Sequence, residues 1–288
     1  MSIAFPNLGL YFHNLPKAIE IFGFSIAFYG IIIATGFFLG YNLSIYQAKR
    51  LGFNLDYIVD FAPYVMIASI ICARLYFVIF SFDYYKDNLL EIFNIRAGGL
   101  AIYGGIIGGV LCAIWYCKKN KINLLDLLDS LVAGLLVGQS LGRFGNFFNR
   151  EAFGDYTDTF FRMLININET NLSNVTPKML ENIEIIDGIK YISVHPTFLY
   201  ESFWNLCTLI IILLITKKRQ YKGQLVLIYM LSYGLARFLI EGLRTDQLRI
   251  FGTIAVSQVL SLILFIISLV ILLGKKYGWS FNIRKKRL

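Results

Sequence analysis

Charged residues are scarce in this sequence, at 16% of its 288 residues, whereas soluble domains average about 25%. Cysteine and histidine are scarce as well, with four Cys and two His. The cysteines form no CxxC pair and two histidines are too few for a His-based metal cluster, so neither a disulfide framework nor a zinc site is indicated. Hydrophobic residues make up 57% of the chain, which excludes disorder and argues against a water-soluble globule.

The sequence contains long apolar runs with few charged residues. A bilayer core about 30 Å thick requires about 20 apolar residues per helix. Seven runs meet this requirement, and they cover residues 21–43, 57–80, 100–117, 125–147, 196–216, 224–243 and 252–274. The first run has neither the basic flank nor the cleavage site of a signal peptide. The sequence therefore predicts an all-α integral membrane protein with seven transmembrane helices.

The net charge of +9 is distributed unevenly along the chain. Fifteen Lys and Arg residues lie in the loops after the first, third and fifth runs and in the C-terminal tail, against five in the short segments of the other side. The positive-inside rule then places the N-terminus outside and the C-terminus in the cytoplasm. Because topology accounts for the positive excess, no nucleic-acid partner is expected.

Residues 150–195 interrupt the apolar pattern with a polar, mixed segment. Apolar and polar residues alternate over 165–168 and 183–185, which indicates short strands. We interpret this segment as a small extracytoplasmic head inserted between spans four and five. Residues 1–149 and 196–288 then form the seven-helix membrane domain.

Ionisable residues inside the apolar runs are informative, because each costs roughly 2.5–3.5 kcal/mol to insert. Arg237 and Glu241 are four residues apart in the sixth run and share a helix face with Tyr233. One interpretation is a structural ion pair that neutralises both charges. The other is an anion site in which Arg237 binds a phosphate and Glu241 holds its guanidinium in place.

The densest polar cluster lies at the end of the fourth run, in residues 142–154. Asn and Gly residues could end this helix without any further role. That account leaves Arg143 one turn inside the helix and Glu151 one turn beyond it unexplained, so we favour a functional site that includes Asn146 and Asn149. Glycines four residues apart in the third and fourth runs, such as Gly104 and Gly108, are better explained by close helix packing.

The run 142–154 reads G-R-x-G-N-F-x-N-x-E-x-x-G and ends at Gly154. It resembles the signature of the prolipoprotein diacylglyceryl transferases, the bacterial inner-membrane enzymes that add the first lipid to lipoproteins. Other features follow in the family's order: Tyr29-Gly30, residues 98–105 with Tyr103, His195-Pro196 at the start of the fifth span, and Tyr233, Arg237 and Glu241 in the sixth. The resemblance covers essentially the whole chain.

The resemblance implies transfer of a diacylglyceryl group from phosphatidylglycerol to the lipobox cysteine thiol of a preprolipoprotein signal peptide, with release of glycerol-1-phosphate. Membrane lipids are the other expected partners, and no metal or cofactor is expected. The implied catalytic residues are Arg143, Arg237, Tyr103 and Tyr233. The implied substrate-binding residues are Tyr29, Asn146, Asn149, Glu151, Gly154, Glu241 and His195.

The sequence leaves two candidates for the base that deprotonates the thiol. Tyr103 stands where some members of the family have His, and a phenol is a poor base at neutral pH. It could instead bind the phosphate or orient the lipid, and His195 is an alternative base if it faces the same cavity. The intramembrane arginines also fit two other functions: a transporter or channel for an anionic solute, which no internal repeat supports, and another phospholipid head-group transferase.

Overall fold

The computed structural model describes residues 1–95, 98–247, 249–250 and 254–278. It divides into two compact units, Met1–Gly40 with Val132–Leu288, and Tyr41–Leu131. Some sequence expectations lie outside the described residues: the start of the seventh run at 252–253, Arg96 among the outer charges, and the basic tail from 284 to 287.

Long helices account for most of the chain. They are α1 (Phe28–Leu51), α2 (Asp56–Phe80), α4 (Ile102–Asn120), α5 (Leu124–Asn149), α7 (Thr197–Ile215), α8 (Gln224–Glu241) and α9 (Val256–Lys276); α3 (Phe82–Tyr85) and α6 (Pro177–Glu181) are short. Among the described residues, six helices are long and apolar enough to cross a membrane. The helix from the third predicted run, α4, is not among the six; four glycines and the terminal Lys118 and Lys119 lower its hydropathy. The chain is thus a mostly helical, multi-pass membrane protein.

A five-stranded antiparallel sheet is the main departure from an all-α fold. Its strands are β1 (Ile3–Phe5), β2 (Leu10–Phe12), β5 (Met163–Asn166), β6 (Glu184–Ile186) and β7 (Ile189–Val194), in the order β2-β1-β5-β7-β6. Two of them, β5 and β6, form where the alternating pattern indicated strands. The sequence places β1 and β2 in the membrane domain, whereas in the structure β1 pairs with β5 of the inserted segment, with Ile3 opposite Ile165, and β2 pairs with β1.

The core of this sheet reaches the ends of two helices. One face buries Ile3, Ile165 and Ile192 together with Phe147 of α5 and Phe198 of α7. Rings of Phe147 and Phe198 lie 4.9 Å apart between centroids, so aromatic packing reinforces the burial of apolar area. The sheet therefore holds the C-terminal end of α5 beside the N-terminal end of α7.

The first apolar run starts as a hairpin rather than as a helix. Residues Ala18–Ile21 (β3) and Phe24–Ala27 (β4) pair antiparallel around a turn at Phe22 and Gly23, and α1 begins only at Phe28. Both turn residues have positive φ, at 51° and 80°. Such dihedrals at both central positions are typical of a type I′ hairpin turn and cannot continue a helix. The remaining short strands, β8 (Arg249–Ile250) and β9 (Ile254–Ala255), also pair antiparallel.

Glycine spacing brings helices into close contact, as the sequence predicted. A Cβ atom placed on Gly40 of α1 would lie 2.7 Å from the carbonyl oxygen of Gly134 on α5, and one on Gly36 would lie 3.4 Å from the Cα of Gly138. In the other unit, a Cβ on Gly108 of α4 would lie 2.6 Å from the carbonyl oxygen of Ala68 on α2. These small residues let the backbones of paired helices approach each other.

Adjacent glycines of α4 provide a matched test of this packing. A Cβ on Gly104 would lie 2.4 Å from the Cys72 carbonyl oxygen, whereas on Gly105 its nearest neighbour would be 3.7 Å away. We expect Gly104→Ala to destabilise the protein by about 1–3 kcal/mol through overpacking, and Gly105→Ala to be tolerated. Thermal unfolding in detergent measures the difference, and equal stability of the two variants would contradict this account of the packing.

Candidate active site

The site begins where α5 ends, in the run that the sequence singled out. Arg143, Asn146 and Asn149 lie on the last two turns of α5, and Glu151 follows the helix. The amide groups of Asn146 and Asn149 donate to Oε1 of Glu151 over 3.0 and 3.2 Å. Oδ1 of Asn146 accepts a long contact of 3.5 Å from Nη1 of Arg143. One connected set of polar groups therefore runs from the helix to the exposed Glu151.

Glu201 of α7 joins the two arginines that the sequence singled out. Its Oε2 lies 2.6 Å from Nη2 of Arg143 on α5, and its Oε1 lies 3.2 Å from Nη1 of Arg237 on α8. Nη2 of Arg237 lies 2.8 Å from Oε2 of Glu241, one turn further along α8. Only 7% of the Glu201 side chain is exposed. One buried carboxylate thus aligns two guanidinium groups from different helices.

Hydrogen bonds between helices fix this alignment. Ser140 of α5 and Ser202 of α7 donate to each other's carbonyl oxygens over 3.1 and 2.8 Å, one turn from Arg143 and next to Glu201. Trp204 of α7 donates from Nε1 to the hydroxyl of Ser232 on α8 over 2.9 Å. Interhelical hydrogen bonds of this kind fix the register of neighbouring helices more specifically than apolar contacts do.

A third arginine, Arg244, completes the cluster. Its Nε and Nη2 lie 2.9 and 2.7 Å from the two carboxylate oxygens of Asp246, and its Nη1 lies 4.0 Å from Oε1 of Glu201. In the sequence Arg244 is only one of the loop charges, and Glu201 is not among the expected site residues. The three-residue spacing between Glu241 and Arg244 was the available signal for Arg244.

The Arg244–Asp246 pair lies beyond the end of α8 and stays charged at neutral pH. Burial disfavours the ionised carboxylate of Asp246, but the hydrogen bonds and charge of Arg244 outweigh it and hold the pKa of Asp246 below its ordinary value. Burial likewise disfavours the charged guanidinium of Arg244. The carboxylates of Asp246 and Glu241 outweigh this effect, so the pKa of Arg244 is raised. The pair's contribution to stability is present above the ordinary carboxyl pKa and is lost as the pH falls through the depressed value.

Tyr29 and Tyr233, both expected site residues, lie in the same unit as the arginine cluster. The ring of Tyr29 on α1 packs against Gly145 of α5, where an added Cβ would lie 2.5 Å from the Tyr29 ring. Gly145 is thus required for Tyr29 to approach the helix that carries Arg143. Tyr233 lies one turn before Arg237 on α8, and its ring stacks on that of Tyr229 with the centroids 5.7 Å apart.

Gly154 and His195 are joined through their backbones. The amide of Gly154 donates to the carbonyl oxygen of His195 over 2.9 Å, and a Cβ on Gly154 would lie 2.7 Å from the Cβ of His195. The carbonyl of His195 also accepts from the amide of Thr197 at the start of α7, and Nδ1 of its ring lies 3.3 Å from the hydroxyl of Tyr200. Because Gly154 has no side chain, the end of segment 142–154 can pack closely against His195, which precedes α7.

Tyr103 belongs to the other unit, at the start of α4. The residue is 49% exposed, and the centroid of its ring lies 6.5 Å from that of Tyr76. The segment leading to it is fixed by the buried Arg74 of α2. Arg74 donates to five backbone carbonyls, those of residues 91, 92, 94, 98 and 99, over 2.6–3.2 Å. Arg74, an intramembrane charge in the sequence, thus has a structural role.

The arginine–carboxylate cluster is suited to bind a phosphate ester. It contains three arginines and three carboxylates: Arg143, Arg237, Arg244, Glu201, Glu241 and Asp246. The formal charges cancel, which lowers the cost of keeping them away from water. One carboxylate brings two guanidinium groups together, and each guanidinium can bind phosphate oxygens through its paired N–H donors.

The described part of the chain is mostly helical, with six candidate spans, and one carboxylate bridges two arginines from different helices. These features define a membrane protein whose site suits an anionic phosphate ester. It belongs to the prolipoprotein diacylglyceryl transferase family, because it matches the family model over residues 16–274. It is 42% identical to the phosphatidylglycerol–prolipoprotein diacylglyceryl transferase of Clostridium novyi (strain NT), over 90% of this chain and 95% of the relative. The corresponding proteins of Clostridioides difficile (strain 630) and Bacillus cereus (strain Q1) are 40% and 39% identical, over 85% and 91% of this chain and 89% and 92% of theirs.

Proposed function

We propose that this protein transfers the diacylglyceryl group of phosphatidylglycerol to the lipobox cysteine thiol of preprolipoproteins. In this reaction sulfur forms a bond to the glyceryl carbon, the bond from that carbon to the phosphate oxygen breaks, and glycerol-1-phosphate leaves. The thiol proton passes to a base. The observation that carries the proposal is the bridge of Glu201 between Arg143 and Arg237, within a chain of this family.

The arginines act on the phosphate. The diester carries one negative charge, and a second develops on the leaving oxygen as the bond to carbon breaks. Arg143 and Arg237 are placed to stabilise that charge, which is the largest electrostatic demand of the reaction. Asn146 and Asn149 hold Glu151 at the exposed side of the cluster, where the three bind the glycerol head group. Glu241 keeps the guanidinium of Arg237 in place.

The remaining substrate contacts follow from position. Tyr29, against Gly145, and Tyr233, one turn before Arg237, flank the arginines and orient the lipid. Gly154 maintains the close approach to His195 at the start of α7. Tyr103 binds the phosphate or orients the lipid from the start of α4. No metal or other cofactor is required for this displacement.

The topology is proposed with the function. We place seven spans in the bacterial cytoplasmic membrane, with α4 as the third, the N-terminus outside and the C-terminus in the cytoplasm. Residues 150–195 form an extracytoplasmic head, completed by the N-terminal strands: β1 pairs with β5 of the head, and β2 pairs with β1. The positive loops support this orientation. It places the arginine cluster on the outer side, where the signal peptide of an exported preprolipoprotein presents its cysteine.

The activity is tested with purified protein, phosphatidylglycerol vesicles and a lipobox peptide. We expect a thioether-linked diacylglyceryl peptide, detected by mass spectrometry, together with glycerol-1-phosphate. A peptide with Ser in place of Cys controls for diacylglyceryl transfer to other residues. Absence of product from folded protein would refute the proposal, and transfer to a lipid or sugar acceptor in place of the peptide would favour another head-group transferase.

The pH dependence identifies the base. Burial lowers the pKa of His195 below its ordinary value, Asp155 opposes this and Lys178 adds to it, so the imidazole is neutral and able to accept a proton at pH 7. We expect His195→Asn to lower turnover at pH 7 and to recover at alkaline pH, because a thiol forms thiolate unaided above about pH 8.5. Tyr103→Phe lacks this recovery. Alkaline recovery of Tyr103→Phe alone would make Tyr103 the base instead.

A further inference from the structure

Glu151 is held between two strained backbone positions. Arg150 and Ala152, on either side of it, have φ values of 55° and 57°. A residue with a Cβ in this left-handed region costs roughly 1–2 kcal/mol, so other contacts must maintain the conformation. The amide of Glu151 donates to the carbonyl of Asn146 over 3.1 Å, and the hydroxyl of Thr197 donates to the carbonyl of Ala152.

The side chain of Arg150 supplies the strongest of these contacts. It is 2% exposed, and its Nη2 lies 2.9 Å from Oε2 of Glu169 in the inserted segment. Its Nη1 donates to the carbonyl of Phe148 over 2.7 Å, and Nη2 also donates to the carbonyl of Leu15. The carbonyl of Arg150 accepts from the hydroxyl of Thr170 over 3.0 Å. One guanidinium therefore joins the end of α5, the N-terminal segment and the head.

Glu169 is itself held in place by the head. Its Oε1 accepts from the hydroxyl of Ser2 over 3.1 Å and from the amide of Asn166, at the end of β5, over 3.4 Å. The carboxylate is therefore fixed by β5 and by the residue before β1. Any shift of the head relative to α5 acts on Arg150 and, through the backbone, on the next residue, Glu151.

We propose that Arg150 is a positioning residue for the transfer reaction, whose ion pair with Glu169 sets the orientation of Glu151 toward the substrate head group. This inference rests on the proposed function. Arg150 does not touch the substrate, and it acts only through Glu151. The inserted segment thereby has a direct effect on turnover, and the N-terminal segment acts through the contact at Leu15.

The matched variants are Arg150→Met and Arg162→Met. Methionine keeps the Cβ and the aliphatic part of the arginine side chain but removes the charged guanidinium group. Arg162 pairs with Glu184 in the same inserted segment, away from Glu151, so its loss controls for general weakening of the head. We expect Arg150→Met and Glu169→Gln to lower kcat/KM for phosphatidylglycerol by about tenfold, since small misplacements of a binding group weaken substrate positioning strongly. Arg150→Lys restores part of the rate, and Arg162→Met leaves it near that of wild type.

A double-mutant cycle separates positioning from stability. If Arg150 acts through Glu151, Arg150→Met has less than about a twofold further effect in a Glu151→Ala background. An equal effect in both backgrounds, or an equal loss of kcat/KM in Arg162→Met, would overturn the proposal. If Arg150→Met fails to fold, Glu169→Gln, whose residue is partly exposed, carries the same cycle. Activity of wild-type protein tests the transfer function separately.

Discussion

Arg237→Ala is expected to lower the rate of diacylglyceryl transfer by about 10²–10³-fold, and Arg143→Ala by a similar factor, because each removes a donor aimed at developing phosphate charge. Since that charge appears as the bond to carbon breaks, the loss falls mainly on kcat rather than on KM for phosphatidylglycerol. Steady-state kinetics with phosphatidylglycerol vesicles and a lipobox peptide measures both constants.

Lysine variants separate charge from geometry at these two positions. Arg237→Lys keeps the positive charge but loses the planar fork that binds Glu201 and Glu241 at once. We expect it to stay well below wild type, above Arg237→Ala. Alanine also leaves a buried carboxylate without its partner, so thermal unfolding must accompany the kinetics. Full activity of both Arg143→Ala and Arg237→Ala would refute the roles assigned to these residues.

The helices could be predicted from the sequence because a long apolar run can form few structures other than a helix in a membrane. The N-terminal strands could not, because β1 has three residues and its partner β5 begins about 160 positions later. No local pattern encodes a pairing over that distance. The hairpin before α1 could not be predicted for a different reason. Phe22 adopts a positive φ, which is uncommon for a residue with a bulky side chain.

The candidate site was predictable where spacing within one helix or one signature brings residues together. Arg237 and Glu241 were paired from their spacing, and residues 142–154 from their unusual composition. Glu201 is visible in the sequence as a charge in an apolar run, at the end of the segment that opens the fifth span. Its link to Arg143 and Arg237 depends on how α5, α7 and α8 pack. Arg150 was even less visible, because its partner Glu169 lies in the polar segment, where charges are common.

Glu201→Gln is expected to lower kcat by about 10²-fold while leaving KM for phosphatidylglycerol unchanged or reduced. Glutamine has the same shape, so no cavity forms, but it cannot accept from Arg143 and Arg237 with both oxygens. The cluster then carries three arginines against two carboxylates. The excess positive charge favours the anionic lipid in the ground state, while the guanidinium groups repel each other and lose the alignment needed in the transition state.

Glu184→Gln is the matched control, because it removes one carboxylate from an ion pair with Arg162 outside the cluster. Its kinetic constants are expected to stay near those of wild type. A fall in kcat with unchanged or lower KM distinguishes lost alignment from lost lipid affinity, which would raise KM instead. If Glu201→Gln turned over at the wild-type rate, the bridge between Arg143 and Arg237 would be a structural ion pair, and the arginines would have to act independently of each other.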